Sequence, residues 1–199
     1  EFAGKEQLSW QIVQRARIYK DSYQYDKAIA DYKRYLNLVS TIFSNQIGSK
    51  RHISAIESLI LIFSKKGDTK NTFKYSKLKY DMVYEYQSNN LKFLATANID
   101  LASTYIDYGE WDEALKYSNK ALEIIEKALS KENLDYEIKK SYLGSKNAAL
   151  TYKLIISQNI KPDRQTLKKI ALEILQINDQ LNLLDKKTSG HTKLINYYI

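Results

Sequence analysis

Three segments of this chain place a small residue, an aromatic ring and a second small or β-branched residue at one fixed spacing. That spacing leaves few folds open. The triads are Ala16, Tyr19 and Ala28, then Ala102, Tyr105 and Ala114; a third keeps the spacing with larger side chains, Ile60, Phe63 and Thr72. Residues three apart share one face of a helix, so the first two members of each triad lie side by side. The third follows on a second helix, where the two axes cross. A small side chain there permits close approach, and the aromatic fills the space beside it. Gly67 and Gly109 hold equivalent places, 42 residues apart, and Tyr23 takes that place in the first copy. Glycine there predicts a left-handed residue closing the first helix of each pair. Tyr25 and Trp111, two residues later, are predicted to pack in the groove between the helices.

Composition agrees with long helices. One proline and six glycines in 199 residues are too few for a many-turned β fold, and 44% hydrophobic content supports a sizeable core. No run of about 18 apolar residues is present to span a bilayer, and the first residues are neither basic nor apolar enough for a signal peptide. The lack of cysteine removes disulfides, thiolate metal sites and a cysteine nucleophile. It is compatible with the cytoplasmic location expected here. The net charge of +8 comes from 31 basic and 23 acidic residues scattered among one another. We read the excess as a solubility feature. Helices are predicted at 5–21, 25–46, 50–66, 69–88, 90–108, 111–130, 134–158 and 163–186, with Pro162 in the first turn of the last. The fourth pair, with Ala149, Tyr152, Ala171 and Leu172, fits the spacing loosely and is expected to carry a longer interhelix loop. One domain is expected over 5–186, in units of about 9–46, 50–88, 92–130 and 134–186. The tail, 187–199, ends in an apolar stretch from Leu194 to Ile199 that reads as the start of a further helix in a longer chain.

The segment 95–128 resembles the tetratricopeptide repeat (TPR), with Leu101, Ala102, Tyr105, Gly109, Trp111, Ala114, Ala121 and Leu122 all fitting the family consensus. The match is good over 9–42 and degenerate over 53–86. The register of about 42 to 44 residues exceeds the usual ~34. Units of this length resemble those of kinesin light chains and of bacterial regulators that sense peptides or partner proteins. The resemblance implies an all-α fold of antiparallel helix pairs stacked as a right-handed superhelix. It further implies a non-catalytic scaffold that binds a protein or peptide in a groove lined by the first helix of each pair, as the docking or sensory region of a larger bacterial regulator. Carried over by position, the groove residues are Trp10, Val13, Arg17, Lys20 and Asp21; Ser54, Glu57, Leu61, Ser64 and Lys65; and Thr96, Ile99, Ser103, Ile106 and Asp107. Lys146, Leu150 and Lys153 follow where the register is weaker. The family's carboxylate clamp for chaperone tails needs Lys then Asn at the fifth and ninth places. Here Val13 and Arg17 stand there, followed by Glu57 with Leu61 and Ile99 with Ser103, so binding of such tails is not expected.

Catalytic signatures are missing. His52 and His191 are the only histidines, in no metal-ligand spacing. Gly48-Ser49-Lys50 lacks the upstream glycine and strand of a phosphate loop and reads as a plain helix start. No enzyme activity, cofactor or metal is expected. Lys66, Lys70, Lys74 and Lys77, near Tyr75, Tyr80 and Tyr84, give an alternative reading as a nucleic-acid-binding repeat. Against it, tyrosines run through the whole chain and at helical spacing pack between helices. Self-assembly through the apolar tail or an exposed end face is the third reading.

Overall fold

A computed structural model describes residues 2–42, 46–160 and 163–184. Pro162 and the tail 187–199 lie outside the described residues. Eight helices are described: α1 (Phe2–Asp21), α2 (Tyr25–Thr41), α3 (Lys50–Lys65), α4 (Thr69–Tyr86), α5 (Leu91–Asp107), α6 (Trp111–Leu129), α7 (Tyr136–Ile160) and α8 (Arg164–Leu184). No strand occurs among the described residues. α7 ends at Ile160 and α8 begins at Arg164, and the connection expected to be longer in this fourth pair lies largely outside the described residues.

Local chemistry sets the helix starts. Ser49, Asp68 and Asn90 each accept a hydrogen bond from the backbone N–H three residues on, in His52 (3.3 Å), Asn71 (3.0 Å) and Phe93 (3.2 Å). Each satisfies a donor that the first helical turn leaves open. Gly48-Ser49-Lys50 is thus a helix start, with Ser49 as its cap.

The ends of α1, α3 and α5 share one bonding scheme. At α3, the Gly67 N–H donates to Ser64 O (3.0 Å) and the Asp68 N–H donates to Phe63 O (2.9 Å). At α5, Gly109 donates to Ile106 O (2.9 Å) and Glu110 to Tyr105 O (2.9 Å); at α1, Tyr23 donates to Lys20 O (3.1 Å) and Gln24 to Tyr19 O (2.8 Å). This is the paired closure of a helix C-terminus around a left-handed residue. That residue has φ +68° at Gly67, +73° at Gly109 and +60° at Tyr23. The inner carbonyl always belongs to the aromatic of the triad. Its ring then packs toward the second helix of the pair: Phe63 stacks on Tyr75 (centroids 5.5 Å, 8°) and Tyr105 on Tyr117 (5.5 Å, 6°). In the first copy Asp31 stands where the partner ring would be, and Arg15 grips it with two 2.7 Å hydrogen bonds.

The chain divides into two compact units, Glu1–Ser88 and Asn89–Ile199. In the first, α1 packs on α2, α3 on α4, and α3 also meets α2 and α1. Its core joins Ile12, Val13, Ala16, Ala28, Tyr32, Tyr35, Ile56, Leu59, Ile62 and Phe63. In the second, α5 pairs with α6 and α7 with α8, while α7 also meets α5 and α6. Ala102 and Ala114 are both fully buried, as the crossing of α5 over α6 requires. Two polar links, one buried and one partly buried, brace this unit: Ser118 Oγ donates to Ala149 O (2.9 Å) and Asn147 Nδ2 to Asn178 Oδ1 (2.7 Å). Within each unit, one helix pair stacked on the next is the packing of a helical-repeat solenoid.

Candidate functional site

In the first compact unit, α1 and α3 lie side by side, and the turn after α1 rises beside them. Lys20, Asp21, Leu61 and Lys65, four of the residues assigned by position, converge there around a cavity of about 250 Å³, together with Tyr23, Tyr25 and Ile62. Leu61 is 46% exposed and Tyr23 75% exposed. Tyr23 and Tyr25 meet edge to face, with centroids 6.1 Å apart. Lys20 lies 3.6 Å from Asp21. Lys65 has no ion pair among the described residues, so its charge is available to a ligand. Just below, Lys66 pairs with Asp26 at 2.5 Å and ties the end of α3 to the start of α2. Trp10 and Arg17 are exposed farther along α1.

Tyr23 did not appear among the residues carried over by position. Its signal was nevertheless in the sequence, at the place where the other two copies have glycine. An L residue in the left-handed region costs about 1–2 kcal/mol. A large exposed ring that bears that cost beside a cavity points to use of the ring.

Other assigned residues fall elsewhere. Val13 (2% exposed) and Leu150 (3%) are core side chains. The physical reason is that α1 packs on both α2 and α3, and α7 on α5, α6 and α8, so the buried arc of each helix is wider than the family register implies. Glu57 is half-buried and pairs with Lys79 Nζ at 2.7 Å, holding a charge that is only 2% exposed. Lys146 reaches Glu126 on α6 (2.6 Å) and Glu173 on α8 (2.9 Å). Burial alone would lower the Lys146 pKa, but the hydrogen bonds that it donates to its two carboxylate partners outweigh this and raise it. On α5, Thr96, Ile99, Ser103 and Ile106 form one half-buried stripe, and Asp107 beyond them is exposed. Partial desolvation of its carboxyl by the neighbouring protein nevertheless raises the Asp107 pKa.

Of the lysine and tyrosine set on and near α4, Lys70, Lys74, Lys77 and Tyr84 are exposed, but two members are withdrawn. Tyr75 is buried under Phe63, and Lys66 is engaged with Asp26. Tyr80 and Tyr84 lie 4.3 Å apart. Among the described residues there is no group of three or more His, Asp or Glu placed to hold a metal ion. No described helix is long and apolar enough to cross a membrane.

These observations define a TPR-like helical-repeat protein. Solved structures agree on the fold. The chain is similar to BtubC (BKLC) from P. vanneervenii, at 14% identity and a TM-score of 0.51, with 98% of this chain and 87% of that one covered. It is also similar to a kinesin light chain-type protein of Podosopora anserina with nearly identical TPR-like repeats, at 11% identity and a TM-score of 0.50, covering 94% of this chain and 93% of that one. A variant of the latter aligns at 12% identity and a TM-score of 0.51, covering 94% and 92%. No family model and no curated protein sequence matches. At these identities the likeness is one of fold.

Proposed function

We propose that this chain is a non-catalytic scaffold that captures a protein or peptide segment on the α1–α3 face of its first compact unit. The observation that carries the proposal is Tyr23. It keeps an exposed ring in a backbone conformation that glycine occupies in the two sister turns, and it does so at a cavity edged by Leu61, Lys20 and Lys65. Leu61 and the two tyrosines offer an apolar anchor point, and the lysines and Asp21 offer charge at its rim. That combination suits a peptide with an apolar side chain flanked by charged ones. The unit length supports a narrower proposal, that the scaffold is the docking or sensory region of a larger bacterial regulator.

The test is a peptide-display selection against the intact chain, followed by affinity measurements on Tyr23→Gly and Leu61→Ala. Both variants are expected to bind the selected peptides at least about tenfold more weakly. Tyr23→Gly should also be as stable as the parent or more so, by up to about 1 kcal/mol, since glycine relieves the left-handed strain. Selected peptides that bind both variants as tightly as the parent would remove the site assignment.

A further inference from the structure

The second compact unit carries a larger groove, which the binding face on α1 and α3 does not explain. It runs along α8 between the end of α6 and the middle of α7, with a volume of about 680 Å³. Its floor is apolar: Leu143 and Ile177 are almost fully buried, and Leu129 and the 41%-exposed Leu172 stand over them. The α8 wall presents Gln165, Lys169, Leu172, Gln176 and Gln180. Successive steps of four, three, four and four residues make one stripe along the helix, the spacing on which a second helix seats. From Gln165 to Gln180 the stripe is about 22 Å long, room for about four helical turns.

The chemistry of the walls restricts the occupant. They are built from helices whose backbone donors and acceptors are already used along their length, so an extended peptide would find few main-chain partners. A helix brings its own hydrogen bonds with it. The carboxylate of Glu173 is held by Lys146, which also holds Glu126. Lys168 and Lys169 line the same groove and make no ion pair among the described residues. The free charge facing the groove is therefore positive. Among the described residues no aromatic ring lines it to stack a base, which argues against a single-stranded nucleic acid.

We propose that this groove docks an acidic amphipathic helix of a partner protein, with leucine-like anchors over Leu129 and Leu172 and carboxylates toward Lys168 and Lys169. The proposal is independent of the α1–α3 face.

The probes are two helix-forming peptides of about 16 residues. Both carry leucines at alternating three- and four-residue steps; glutamates flank them in one and lysines in the other. Fluorescence anisotropy against the intact chain at low salt should show saturable binding of the acidic peptide and at least about tenfold weaker binding of the basic one. The double variant Lys168→Glu, Lys169→Glu should lose at least about tenfold in affinity for the acidic peptide, and Leu172→Ser should weaken it as well. All three positions are exposed, and unchanged helical circular dichroism verifies that the variants fold. Tyr23→Gly should leave this binding unaltered, which separates failure here from failure of the α1–α3 proposal. No saturation by about 1 mM peptide overturns the inference, as does equal binding of the two peptides or indifference to the lysine reversal. If sedimentation shows the parent chain self-associating and Leu172→Ser monomeric, the groove is a contact between copies and the proposal falls. Lysine-dependent capture of a single-stranded oligonucleotide in preference to the acidic peptide would also overturn it.

Discussion

Gly48 shows how much one residue can fix. It sits at φ +74°, and a Cβ built there would lie 2.2 Å from the Cβ of Tyr86. Its carbonyl accepts from Gln87 Nε2 (2.8 Å) and its N–H donates to His52 Nδ1 (3.1 Å). Gly48→Ala is expected to cost about 2–4 kcal/mol, from left-handed strain plus overpacking against α4. A urea midpoint unchanged from the parent would contradict this. The same hydrogen bond gives His52 a pH role. As an acceptor its Nδ1 must be unprotonated, and burial lowers its pKa from the usual 6.5. The unfolded chain takes up a proton near 6.5 while the folded chain resists it. Stability is therefore full above that pH and falls as pH drops below it. The urea midpoint should begin to decline as pH falls below about 7.5, roughly one unit above the ordinary histidine value, and keep falling until the lowered folded-state pKa is passed, and His52→Gln should flatten the decline. Asp107, with its pKa raised, acts in the opposite sense at lower pH, so the comparison with His52→Gln is what isolates the histidine. Gly67 and Gly109 were legible from their recurrence. Gly48 was not, because its need for glycine comes from a contact with Tyr86, 38 positions away.

At the scale of helices, the recurring triads were enough to read pairing and turn position, because close crossing and aromatic filling impose their spacing wherever they occur. Ala102 and Ala114 at the α5–α6 crossing, and the three matching helix closures, follow from it directly. Which outward positions stay free was less legible. Val13 and Leu150 are buried because α1 and α7 have more neighbours than one pair supplies. Glu57 is occupied because a lysine on α4 needs it, and no spacing within α3 announces that need. This assigns Glu57 to stability. Replacing it with alanine removes the Glu57 carboxylate from the buried Lys79, at an expected cost of about 1–3 kcal/mol, reduced by the partial exposure of Glu57. Adding Lys79→Met should recover most of that loss. A double-mutant cycle in urea reads both numbers, and a neutral Glu57→Ala would show that the pair contributes nothing.

For the whole molecule, each compact unit holds its own core cluster, with Ile12 through Tyr75 in the first and Leu143 through Ile177 in the second. In a repeat protein most stabilising contacts are between neighbours. Residues 1–88 and 89–199, expressed separately, should each give a helical spectrum and a cooperative melt. A fragment 1–88 that is unfolded at about 25 °C would place the source of its order elsewhere. A further consequence follows from the helix closures. Three residues separate first from second helix in the first three pairs, whereas the links from one pair to the next run over 42–49, 87–90 and 130–135, of eight, four and six residues. One added residue in a closure would disrupt its paired hydrogen bonds and displace the following helix against its partner. Added length is absorbed only in the links between pairs. Grafts, tags and evolutionary insertions belong there: a short loop spliced between Ser130 and Asp135 should leave the fold intact where the same loop after Gly109 would not.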